Sequence, residues 1–114
     1  MYFFYIVKTK FDTGFGITSN YESRHQDYVA HAGPNSGIYF PVVLNGHTPH
    51  IKKLESLIKT QWVDRTFITH AGWKTEWLRE NEDTGAFLKD LMNVINDLHL
   101  RIEIYIRDYD FLKR

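Results

Sequence analysis

The sequence predicts a small α+β domain: an antiparallel sheet that begins with a β-hairpin and is flanked by about three helices. Three observations predict it. Two short β-branched and aromatic runs near the N-terminus are separated by Asp12-Thr13-Gly14. Two later segments repeat apolar residues at helical spacing, and residues 100–106 alternate strictly between apolar and polar.

Tyr2 to Thr9 reads as the first strand and Phe15 to Thr18 as the second, so the chain opens with a hairpin. Ser19 or Asn20 caps a helix from about Tyr21 to His31, with Glu22 or Ser23 in its first turn. Gly33-Pro34-Asn35-Ser36-Gly37 ends that helix. Ile38 to Leu44 is a third strand, and Pro41 within it implies an edge position or a bulge. Asn45-Gly46 signals a turn. Thr48 as N-cap and Pro49 at the first helical position start a second helix. Ile51, Leu54, Leu57 and Ile58 give it a buried stripe as far as Trp62. Residues 63–78 read as a short strand, a loop and an aromatic segment. Asp83 or Thr84 caps a third helix, whose apolar face is Phe87, Leu88, Leu91, Met92, Ile95 and Leu98. Residues 100–106 close the sheet with one wet face.

At 114 residues this is one domain, residues 1–114, able to remove roughly two thirds of its unfolded surface from water. Aromatic residues make up 16%, so the core should be rich in rings. The absence of cysteine excludes a disulfide scaffold and thiolate zinc sites, and it is compatible with a reducing cytoplasm. The apolar residues 2–7 are followed, not preceded, by Lys8 and Lys10, and they are too few for a secretory leader. No run approaches a membrane span, so no membrane partner is expected. Net charge is zero, which argues against nucleic-acid binding by bulk electrostatics. Residues 1–74 carry eight Lys/Arg against five Asp/Glu, and residues 75–114 six against nine, so the first part is slightly positive and the tail slightly negative, a swing small enough to arise by chance.

The chemistry-bearing residues follow in a fixed order. Phe4-Tyr5-Ile6-Val7 and Phe15-Gly16-Ile17-Thr18 lie on the hairpin. Arg24 and Tyr28 follow at helical spacing, and Glu55 lies inside Leu54-Glu55-Ser56-Leu57. A tyrosine can shuttle a proton, an arginine can neutralise phosphate, and a carboxylate can hold a divalent cation. Together they suffice to cut a phosphodiester. This ordered set resembles the GIY-YIG nuclease superfamily over roughly residues 3–98, and most of all its short, phage-enriched branch. Arg24 follows Gly16 by eight residues, the family's spacing for its helix arginine, and Tyr28 follows Arg24 by four. Gly72-Trp73-Lys74-Thr75-Glu76-Trp77-Leu78 is similar to the Gly-Glu-Trp-Phe segment of that branch.

There is one departure from the pattern. The second-motif tyrosine of the family would fall at Gly14, so that side chain is missing. The family's asparagine after the glutamate has three candidates, Asn81, Asn93 and Asn96. A literal Gly37-Ile38-Tyr39 reads as ordinary strand, because no Tyr-Ile-Gly-like segment follows it.

The resemblance implies a metal-dependent endonuclease acting on nucleic acid, with DNA the expected substrate. Tyr5 would orient or deprotonate the attacking water. Arg24, with Tyr28, would hold the phosphate, and Glu55 would bind Mg²⁺, for which Mn²⁺ substitutes. Lys8, Lys10, His31, His70, Trp73 and Lys74 would contact the nucleic acid, with Lys52, Lys53 and Trp77 also available to line the groove. Each residue has a plainer use. Tyr5, Tyr28 and the tryptophans can pack in the core. Arg24 can pair with Asp27 or Glu22, and Glu55 with Lys59 one turn on. His25, His47 and His50 form no zinc-protease arrangement.

The alternative function is a catalytically inactive nucleic-acid- or protein-binding module on the same scaffold. A homodimer through the Ile38–Leu44 strand is a further expectation, as is a bacterial or phage-infected host cytoplasm.

Overall fold

The computed structural model of the protein describes residues 1–9, 12–32, 37–68, 76–79 and 83–107. The chain opens as expected with a hairpin of β1 (Tyr2–Lys8) and β2 (Thr13–Thr18). The helix α1 (Tyr21–Ala32) follows. Asn20 caps it, its Oδ1 accepting from the Ser23 N–H at 3.1 Å. Next come β3 (Tyr39–Gly46) and α2 (Thr48–Gln61). A single 3-10 turn at Val63–Arg65 leads into β4 (Thr66–Ile68), which pairs with β5 (Glu76–Leu78). The chain then forms α3 (Thr84–Asp97) and β6 (Ile102–Ile106).

The six strands make one antiparallel sheet in the order β4-β5-β2-β1-β3-β6. This places β3 between β1 and β6, which corrects the expectation that Ile38–Leu44 is a free edge open to a second copy. Pro41 is accommodated by the other route foreseen for it, a bulge. Ile6 pairs with Val42 and Lys8 with Tyr39, so Phe40 and Pro41 together oppose Val7. On its other side, Pro41 accepts at its carbonyl from the Arg107 N–H at 2.7 Å, one residue past the end of β6. The missing proline N–H falls where the ladder has already ended.

Side-chain alternation sorts the core into two layers. Phe4, Ile6, Phe15, Val42 and Leu44 face α2 and α3, where Ile51, Leu54, Ile58, Trp62, Phe87 and Leu91 complete an apolar core. Tyr5, Val7, Val43 and Trp77 face the other way, where Tyr28 of α1 packs on them with Ile38 and Phe40. Trp77 is thus core and not groove lining.

Two further expectations are corrected. Thr48 is the first residue of α2 and not its cap. His47 occupies the cap position without a side-chain bond, and Pro49 lies in the first turn. Asn45-Gly46 ends β3 in register with β6 instead of forming a turn. Asp83 does cap α3, its Oδ1 accepting from the Gly85 N–H at 2.8 Å. The closing strand expected at residues 100–106 forms as β6, but neither of its faces is buried, with Ile104 exposed like Glu103 and Tyr105.

Candidate functional site

Three of the five motif positions, Tyr5, Gly16 and Tyr28, meet on the α1 side of the sheet. Tyr5 of β1 is register partner to Gly16 of β2, and its ring lies across that glycine. A Cβ at residue 16 would stand 2.5 Å from Tyr5 Oη and 2.9 Å from Cζ. The second-motif glycine is therefore required by the first-motif tyrosine, because only a residue without a side chain lets the ring lie flat there. The Tyr5 ring stacks on Phe40 at 4.9 Å and meets Tyr28 edge-on at 6.2 Å. The two hydroxyls hydrogen-bond to each other at 3.0 Å.

Arg24 lies one helical turn before Tyr28 on α1 and is partly exposed. Among the described residues, no carboxylate pairs with its guanidinium, so the surface pairs with Asp27 or Glu22 do not form. Its neighbour His25 is held by the fold: Nε2–H donates to the Ile38 carbonyl at 3.0 Å, and the ring meets Phe40 edge-on at 5.5 Å. His25, Phe40, Glu22, Gln26, Tyr39 and Arg107 line an open cleft of about 700 Å³ beside this cluster. Sequence reasoning did not find this cleft. Its walls come from α1, β3 and the end of β6, which only the sheet order brings together.

Tyr5 and Tyr28 are 1% and 3% exposed, so the phenols sit within the protein interior and not on an open surface. Glu55 is elsewhere. It belongs to α2, whose Leu54 and Ile58 pack against the opposite face of the sheet with Phe4 and Ile6. Its side chain is 17% exposed, and its carboxylate faces Lys59 Nζ at 3.6 Å, the helical pair expected as the plainer use. The sheet thus stands between Glu55 and the Tyr5–Tyr28 pair. Among the described residues, no three His, Asp or Glu side chains gather around one point where a metal ion could sit.

Of the expected nucleic-acid contacts, Lys8 ends β1 and is partly buried. The side chain of His31 and all of Lys10, His70, Trp73 and Lys74 lie outside the described residues. Lys52 and Lys53 are exposed on α2, with Lys52 Nζ 5.9 Å from the Tyr2 ring centre. They share the layer of Glu55 and not that of Arg24.

No protein-family model, curated protein or solved structure matches this chain. The site therefore stands on its own geometry. Among the described residues, no helix is long and apolar enough to cross a membrane.

Proposed function

We propose that this chain is a nucleic-acid-binding module on a GIY-YIG-like scaffold, without the cleavage activity of that family. The observation that carries this reading is the closed Tyr5–Tyr28 pair, with Glu55 on the far side of the sheet. A tyrosine whose hydroxyl is buried against another hydroxyl is poorly placed to orient water on a phosphate. A carboxylate across the sheet is poorly placed to bring a cation to that phosphate. What remains available is Arg24, with a planar fork suited to backbone phosphate. DNA is the ligand this reading assigns, and the cytoplasm is its compartment.

A second reading is the metal-dependent endonuclease itself. It is favoured by the meeting of Tyr5, Gly16 and Tyr28 just as the family's motif order implies. Glu55 would hold Mg²⁺, which would supply charge neutralisation to in-line attack by water. The donor set is thin for this role, with one described carboxylate that is already opposed by Lys59.

One experiment separates the readings. Labelled single- and double-stranded DNA is titrated with the protein at low salt, with and without Mg²⁺ or Mn²⁺, following both anisotropy and strand integrity. Binding without cleavage, weakened about tenfold by Arg24→Ala, supports the module. Metal-dependent cleavage that Glu55→Ala abolishes replaces it with the endonuclease. Absence of binding at any accessible concentration removes both.

A further inference from the structure

We propose that β6 is a homodimerisation edge, pairing antiparallel with β6 of a second copy to make one continuous sheet. The inference is independent of the nucleic-acid reading.

The outward row of backbone groups comes first. The strand β6 ends the sheet order, and no described strand lies beyond it. The Arg107 N–H points inward to Pro41, and antiparallel pairing alternates from there. Glu103 and Tyr105 therefore bond β3, while Ile102, Ile104 and Ile106 turn their N–H and C=O groups outward. Among the described residues, proline, lysine and bulge guards are missing from this edge, though Glu103 is charged. All five residues of β6 run in unbroken register with β3. Ile104 is 38% exposed and Tyr105 51% exposed. The opposite edge, β4, is only three residues long and offers a much shorter template.

The side chains then choose the occupant and the register. Outward groups must meet outward groups, so even-numbered residues oppose even-numbered ones across the two-fold axis. Centring the axis on Tyr105 sets Ile104 opposite the partner's Ile106. It also sets Tyr105 opposite the partner's Tyr105. Glu103 then faces the partner's Arg107, twice over by symmetry. These charge pairs fall at non-hydrogen-bonded positions, where side chains approach most closely. Moving the axis to Ile104 places Arg101 against the partner's Arg107, and moving it to Glu103 places two carboxylates together. An axis at Ile102 restores opposite charges with Arg101 but leaves Tyr105 and Ile106 beyond the pairing. The Tyr105 register pairs residues 103–107 of each copy, keeping the Ile104–Ile106 contacts and both charge pairs without a like-charge clash.

The test is sedimentation velocity from low micromolar to millimolar protein, with circular dichroism as the check on folding. The wild type should associate to a dimer as concentration rises. Glu103→Arg or Arg107→Glu alone should weaken the dimer about tenfold or more, and the double exchange should restore it. Ile104→Pro should abolish dimerisation while leaving the monomer folded, because it deletes an outward N–H and none of the bonds to β3. A wild type that stays monomeric throughout overturns the proposal. So does a dimer indifferent to these charge reversals and to Ile104→Pro, and so does a double exchange that fails to restore association.

Discussion

The ring of Tyr5 occupies the space that any side chain at residue 16 would need. Gly16→Ala should therefore force the ring or the hairpin to shift, with a loss of about 1–3 kcal/mol in urea denaturation. Tyr5→Phe removes the nearer of the two clashing atoms and one hydrogen bond, so alone it should cost about 1 kcal/mol. Combined with Gly16→Ala it should cost less than the two losses summed, a coupling that a double-mutant cycle measures. On β6, Tyr105 donates to Glu103 at 2.6 Å, and the carboxylate's acceptance and its charge both raise the phenol above its ordinary value of 10.0. The sign follows from linkage. The fold prefers the neutral phenol, so this contribution is complete below the unfolded value and fades as pH climbs through the folded one. Tyrosinate absorbance of the protein minus that of Tyr105→Phe should show the late titration. Glu103→Gln should bring it down.

Elements whose signals are local were readable in the sequence, and those set by distant partners were not. The hairpin and α3 belong to the first kind: a turn between two apolar runs, and Asp83 ahead of a helical stripe. The interior position of β3 belongs to the second. A proline argues for an edge or a bulge, and only the pairing of β3 with both β1 and β6 places the bulge and a ladder end together at Pro41. The start of α2 differs by one residue from the sequence expectation, because Thr48-Pro49 fits either frame and His47 takes the cap position without a side-chain bond. At the candidate site, helical spacing showed that Arg24 and Tyr28 share a face. It could not show that strand parity sends Tyr5 toward α1 and away from Glu55. Nor does spacing reveal the tie between α2 and α3, where the Trp62 Nε1–H donates to Asp90 at 2.8 Å. Trp62 is wholly buried, so Asp90→Ala should strand its N–H and cost about 1–3 kcal/mol in thermal unfolding. Asp90→Asn, which keeps an acceptor, should lose less.

At the scale of the molecule, the described residues hold the two faces of the sheet very unequally. On one, α2 and α3 contribute Ile51, Leu54, Ile58, Trp62, Phe87, Leu91, Val94 and Ile95 to the core. On the other, among the α1 residues whose side chains are described, Tyr28 is the one buried in the core. Burial of apolar surface is the main stabilising term, so α1, with one described anchor, is expected to open at lower free energy than the helices with several. Native-state hydrogen exchange should therefore show α1 amides exchanging through a partial opening while β1, β3 and α2 exchange only with global unfolding. Tyr28→Ala should widen that gap, freeing α1 while the α2–α3 face persists. The candidate phosphate-holding residue Arg24 rides on this weakly held helix. If nucleic acid engages Arg24, its binding should slow exchange in α1 more than anywhere else. Protection that rises equally in α1 and α2 would show that ligand and helix are not linked in this way.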